Sequence, residues 1–227
     1  MIQLYQLCLR RFVKKRAPCR VIDIGCGYGI NFPVLGEQGI VVGLDLSLET
    51  LRAIKDRPAL GLVQARAEAL PFKAGTFDIV AMLAVIEHIE RDDLALREAH
   101  RVGQPGALLI ILTSAFMVLW SHHDRANRHF RRYRAETIDR LLASTGWRRL
   151  ITSYVNAAVF PGSVLLRLLQ RFFPPSDTYD MGPDISPIHH LLKMLLGLES
   201  WMVIKAGLRL PFGVDLINVS KREDKIL

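Results

Sequence analysis

Apolar residues come in short unbroken runs along much of this chain, and the runs recur at regular intervals. "CRVIDIG" opens the series, followed by "IVVGLDLS" (40–47), the weaker "LGLVQA" (60–65), "FDIVAMLA" (77–84) and "ALLIILT" (107–113). Polar residues hardly alternate within them. That pattern predicts strands buried on both faces, as in a parallel sheet covered by helices. Helical patterns fill the gaps. Ser47 can cap a helix over 48–56 that Pro58 closes. Residues 90–102 place Leu94, Leu96, Ala99 and Val102 among charges and end at a "QPG" turn, and 135–145 stop at Gly146. A sixth strand is predicted at 149–156 and a seventh at 214–221. The sum is a doubly wound α/β domain.

Two segments stand outside this rhythm. Residues 2–16 fit an amphipathic helix through Ile2, Leu4, Tyr5, Leu9, Phe12 and Val13, ended by Pro18. Residues 157–212 join two apolar stretches, "GSVLLRLLQRFF" and "IHHLLKMLLGLESWMVIKAGLRL", through the turn-rich "PPSDTYDMGPDISP". The predicted organisation is an N-terminal helix over 1–18, a main domain over 19–156 and 213–227, and an inserted helical cap over 157–212 with a flexible middle.

Composition narrows the class. Half of the 227 residues are hydrophobic, enough for a real core, which excludes overall disorder. Three cysteines without paired spacing argue against a disulfide framework, and no Cys/His cluster has zinc spacing. A reduced, cytoplasmic setting is expected. At the N-terminus the charge follows the apolar run and no cleavage site appears, unlike a secretory leader. The longest nearly uncharged stretch, 106–120, is shorter than the ~20 apolar residues that cross a bilayer. The net charge of +8 is concentrated in "RRFVKKR" (10–16) and "RANRHFRRYR" (125–134). Such runs suit an anionic ligand, nucleic acid or an anionic membrane, and equally a solvated face.

The chemistry begins at "VIDIGCGYG" (21–29). Glycines at every second position after a buried strand let a ligand approach the backbone, or simply permit a tight turn. The spacing departs from the dinucleotide fingerprint G-x-G-x-x-G. Asp45 ends the second strand, 20 positions after Gly25. A carboxylate there can accept two hydrogen bonds from a ribose diol, or cap the next helix.

Taken in order, "VIDIGCGYG", "VVGLDLS", "AEALPFKAGTFDIVAMLAVIEHI" and "ALREAHRVGQPGALLII" resemble the class I S-adenosylmethionine-dependent methyltransferases, over residues 20–156. The resemblance implies a seven-stranded sheet with an antiparallel last strand, and S-adenosylmethionine as cofactor. It implies that Gly25, Gly27 and Gly29, with Cys26 among them, meet the methionine part and that Asp23 binds its amino group. Asp45 would hold the ribose, Leu46 would pack on the adenine, and Ala67 would approach the adenine edge. Leu83 and Ala84 would lie beneath the sulfonium. The family often has an acid where this chain has Arg66, which only donates hydrogen bonds; either Glu68 substitutes for it or backbone and packing alone hold the adenine.

Methyl transfer from a sulfonium chiefly needs a positioned acceptor, with a base useful for a hydroxyl. Candidates are His88, His122, His123, Asp124, His129 and Tyr133. His88 could equally hydrogen-bond a loop. Adjacent histidines seldom converge on one ion, so no metal is expected. The segment 121–147, with "LPFGVDLINVSK", resembles a bacterial subgroup of these enzymes. Arg131, Arg132 and Arg134 there would bind an anionic acceptor or pin the loop. After the fourth strand, amino-group methylases of DNA and some RNAs carry Asp/Asn-Pro-Pro-aromatic; this chain has "LAVIEHI", which weakens a nucleic-acid reading.

The expectation is thus a methyltransferase for a small-molecule acceptor, hydrophobic or anionic, at oxygen. The apolar insertion fits a lid over such an acceptor, peripheral contact with an anionic membrane, a packed cap or a homodimer interface. Two rivals remain: a partner or scaffold protein that keeps the fold without transferring methyl groups, and a nicotinamide-dependent oxidoreductase that the glycine spacing disfavours.

Overall fold

The computed structural model describes residues 2–14, 18–54, 61–172 and 189–223. Its centre is one seven-stranded sheet in the order β3-β2-β1-β4-β5-β7-β6. The strands are β1 (Cys19–Ile24), β2 (Gly39–Asp45), β3 (Gly61–Gln64), β4 (Phe77–Leu83), β5 (Gly103–Ser114), β6 (Trp147–Val155) and β7 (Asp215–Arg222). β1 through β5 pair in parallel, while β7 runs antiparallel between β5 and β6. All seven expected strands are present, and the last is the antiparallel one.

The unbroken apolar runs have the expected cause. Every residue of β4 is buried, and alternate positions feed two separate cores. Ile79, Ala81 and Leu83, with Leu108, Ile110 and Leu112 of β5, join one core together with α1 (Ile2–Phe12), α2 (Phe32–Gly36) and α3 (Leu48–Arg52). Val80 and Met82, with Leu109 and Ile111, join the other, against α4 (Asp92–Val102) and α6 (Ala135–Ser144). Burying each such side chain contributes about 1.5–3 kcal/mol.

Boundaries differ from expectation in three places. Ser47 does cap α3, accepting from Thr50 N at 3.2 Å, but α3 closes at Arg52; Pro58 lies outside the described residues. At "QPG" α4 passes directly into β5 at Gly103, and the expected break survives only as an irregularity inside the strand: the register against β4 jumps from Gly103–Phe77 to Leu108–Ile79, and Gly106 holds φ +78°. A short helix, α5 (His122–Ala126), forms where loop was expected, since the Asp124 carboxylate reaches back to Ser121 N at 2.8 Å.

Between β6 and β7 the chain forms α7 (Phe160–Phe172) and α8 (His189–Ile204); the turn-rich stretch between them lies outside the described residues. α8 packs on α1 and donates Val203 and Ile204 to the first core. Its buried Glu199 accepts from Ala157 N at 2.8 Å, pinning the start of the insertion to the end of β6. No helix among the described residues is long and apolar enough to cross a membrane.

The sheet reverses its winding between β1 and β4. Ligands of open α/β sheets bind at such a switch point, outside the carboxyl ends of the strands. The glycine stretch follows β1, and Leu83–Ala84 ends β4.

Candidate active site

The cofactor half of this edge is built by backbone and two acids. After β1 the chain turns through Gly25, Gly27 and Gly29, all at positive φ (71°, 52° and 70°), where a side chain would be strained. At Gly27 a side chain would also point into open space, with no protein atom within 4 Å. Asp45 clasps the turn: one carboxylate oxygen accepts from Gly27 N at 2.9 Å, the other from Ser47 N at 2.9 Å. Each oxygen keeps a lone pair for a further donor.

Asp23 is the unusual member. It is 0% exposed in the middle of the sheet edge, paired in register with Gly43 and Ala81. Neither carboxylate oxygen has a hydrogen-bond partner of normal geometry. Burial pushes its pKa up to about 7, the nearby Asn31 amide pulls down, and the Asp45 charge pushes up again. Two buried acceptors with only the Asn31 amide near them leave room for a donor, and an ammonium group would fill it.

The remaining predicted cofactor residues lie at or just after the carboxyl ends of β1 to β4. Cys26 is buried within the turn, and Leu46 stands exposed at its rim. Ala67 and Leu83 are buried. Ala84 holds φ +56° and donates to Leu112 O at 2.8 Å, a strained junction of a kind that gathers at functional sites. Glu68 is engaged by Arg66 at 2.7 Å, so the arginine takes up the acid that was expected to stand in for it. Tyr5 of α1 was not foreseen. Buried, its pKa is raised first by burial and then by the charges of Asp215, Asp23 and Glu87 among others.

The half expected to face an acceptor is built from side chains far apart in sequence. Asp124 is completely buried and accepts from Arg132 (2.7 and 3.0 Å), Ser121 Oγ (3.0 Å) and the His129 ring (2.9 Å). Burial pushes its carboxyl up, but Arg132 and these hydrogen bonds outweigh it and hold the pKa at about 2. His88 and His129 pack edge to face, 4.4 Å between ring centroids. His88 Nδ1 lies 2.8 Å from Asn127 O. Glu87, buried beside them, accepts from Thr113 Oγ1 at 2.8 Å.

Three candidates fall away from this cluster. Tyr133 is buried and donates to Asp92 at 2.7 Å, and burial followed by that bond raises its pKa, so it anchors the loop. His122 and His123 are exposed on α5, His123 reaching only towards Asn127 and the far edge of His129. Arg131 binds Asp92 and Glu90 O, and Arg132 binds Asp124 and Ala115 O. Both therefore pin the loop. Glu87 and Phe116 were missed. An acid inside the apolar "VIEHI" was the available signal for Glu87, as it was for Asp23.

An aromatic row continues outward from this half. Tyr154 of β6 stacks on Phe116 (4.4 Å, 18°), Phe116 meets Phe160 of α7 at 5.6 Å, and Phe160 meets Phe212 at 5.4 Å. Phe160, Pro161, Val164, Leu165, Leu168 and Phe212 line an open apolar groove of about 430 Å³. A cavity of about 480 Å³ at the amino ends of β1 and β4, beside Asp78 and Gln104, is at the opposite edge of the sheet from the glycine turn.

Comparison with known proteins agrees with the cofactor half. A family model described as a methyltransferase domain matches residues 22–111. Norajmaline N-methyltransferase of Rauvolfia serpentina is 36% identical over 109 residues, 44% of this chain and 37% of that protein. A ubiquinone/menaquinone biosynthesis C-methyltransferase of a Shewanella species is 35% identical over 108 residues, 43% of each chain. The match thus spans well under half the length of these relatives. Among solved structures, a putative methyltransferase from Bacillus halodurans superposes with TM-score 0.64 at 16% identity, covering 97% of this chain and 99% of that one. The [4+2]-cyclase SpnF superposes with TM-score 0.65 at 17% identity, covering 98% and 81%. The methyltransferase-domain match thus covers residues 22–111, and the solved structures share the fold of the whole chain.

Proposed function

We propose that this protein transfers a methyl group from S-adenosylmethionine to an oxygen of a small acceptor with an apolar portion. When bound, S-adenosylmethionine supplies a methyl group already activated on a sulfonium. The carrying observation is Asp23, a fully buried acid with two unpartnered oxygens beside an open glycine turn. In this reading Asp23 takes the ammonium and Asp45 offers its remaining lone pairs to the ribose diol. Leu46 and Ala67 flank the adenine, with Cys26, Leu83 and Ala84 completing the walls. Glu68, held by Arg66, leaves the adenine to packing and backbone.

On the other side, the aromatic row and the groove along α7 receive the apolar part of the acceptor. Nucleic acid is disfavoured, because Arg131 and Arg132 are bound to Asp92 and Asp124. Asp124 orients the His129 ring, and His88 stands against it, so the acceptor oxygen would face this histidine pair.

A second reading has one specific observation behind it: a fold neighbour is a [4+2]-cyclase, so the fold alone does not fix the reaction. Calorimetry with S-adenosylhomocysteine and with NAD tests the cofactor side, and transfer of label from methyl-labelled S-adenosylmethionine to an apolar hydroxyl acceptor separates the two readings. Saturable binding of the first and none of the second is expected. Failure of S-adenosylhomocysteine to bind removes the enzyme reading.

A further inference from the structure

We propose that Glu87, His88 and His129 form a binding site for one divalent first-row transition metal ion of the zinc type. A carboxylate oxygen of Glu87 and one ring nitrogen from each histidine lie within 4.8 Å of one another. Two imidazoles and one carboxylate are a zinc-type donor set that leaves a coordination position open. Imidazole suits zinc, cobalt, nickel and iron, whereas magnesium and calcium prefer oxygen-only sets.

The surroundings are those a metal site needs. A ligating histidine ordinarily gives its other ring N–H to a carbonyl or carboxylate, which fixes tautomer and orientation. His88 Nδ1 has Asn127 O at 2.8 Å, and His129 Nδ1 has Asp124 Oδ1 at 2.9 Å. Donation through Nδ1 leaves both Nε2 lone pairs for an ion. Glu87 is held by Thr113 Oγ1 at 2.8 Å and by Ser114 Oγ at 3.3 Å. All three ligands thus have an outer partner.

Glu87 supplies a second, separate reason. It is 1% exposed, and no lysine or arginine among the described residues lies within ion-pair distance of it. A buried carboxylate is stabilised by a paired charge or a metal. An ion would provide that charge, and the exposed edge of His88 gives it a way in.

This site stands whether or not the chain transfers a methyl group. The test uses the full chain stripped of metal by a chelator and titrated with Co²⁺, then with Zn²⁺ and Mg²⁺. The expected result is one Co²⁺ per chain with the strong visible bands of a four- or five-coordinate site, displaced by Zn²⁺ and untouched by Mg²⁺. His88→Gln and His129→Gln should each weaken binding at least about tenfold, and Thr113→Val, which keeps all three ligands, by about tenfold. His122→Ala, on exposed α5, should leave binding unchanged. Absence of saturable binding, only the weak bands of an octahedral ion, or a loss with His122→Ala equal to that with His88→Gln would overturn the proposal. The wild-type spectrum decides even where a variant fails to fold.

Discussion

The two halves of the carboxyl edge are made differently. Around β1 and β2, the edge is built mostly of backbone, and the two acids sit at short, fixed spacings from the glycines. Around β4, β5 and α5, side chains do the work, and they are brought together by a buried ion pair. Asp124 is reached by Arg132 across a loop, and Arg131 reaches Asp92 across 39 residues. A half made of backbone can be recognised from a few letters. A half made of side chains depends on packing, and its chemistry can vary while the frame stays.

The largest way to break this contrast is Arg132→Met. It leaves Asp124 fully buried without its main partner, so about 3–5 kcal/mol of stability should be lost. Chemical denaturation measures that loss, and S-adenosylhomocysteine affinity at low temperature should stay within about twofold. If both fall together, the halves are not independent.

Next comes Asp45→Ala. It removes the clasp on Gly27 as well as the acceptors for a diol, and charged hydrogen bonds contribute about 1.5–3 kcal/mol each. Affinity for S-adenosylhomocysteine should fall about a hundredfold by calorimetry, with a smaller effect on stability than Arg132→Met.

Asp23 makes a prediction in pH. Its folded pKa, about 7, lies above the ordinary 3.8. The folded chain therefore binds more protons than the unfolded one between those values, and stability falls as pH rises through that window. Asp23→Asn should flatten this slope in denaturation curves measured from about pH 4 to pH 7, and should weaken cofactor affinity at pH 8 about tenfold.

The smallest effect concerns the insertion between β6 and β7. Met194 is 73% exposed and Trp201 52% exposed on α8, and Leu165 is 58% exposed on α7. Peripheral contact with anionic lipid predicts partial flotation with anionic liposomes, reduced by Trp201→Ala. Protein that stays at the bottom at moderate salt would end that idea and leave a packed cap or a homodimer interface.

Much of the fold was legible because strand burial is written in unbroken apolar runs, and β4 is buried along its whole length. The glycine turn and Asp45 were legible because local geometry fixes their spacing. The histidine cluster was only half legible. "SHHDRANRHFRRYR" shows its members, but which of them converge depends on α5, whose first turn is set by Asp124 reaching back to Ser121. The signal was Ser-x-x-Asp, a helix start that draws Asp124 inward and leaves His122 and His123 outside. Glu87 was hidden because its partners, Thr113 and Ser114, come from the end of a neighbouring strand.

The central claim is that Asp23 is an acid kept for an ammonium. Calorimetric titration of S-adenosylhomocysteine at pH 6, in two buffers of different ionisation enthalpy, tests it directly. The empty site is mostly protonated there, so binding should release close to one proton in the wild type and none in Asp23→Asn. Binding without proton release, or equal release in both proteins, would contradict it.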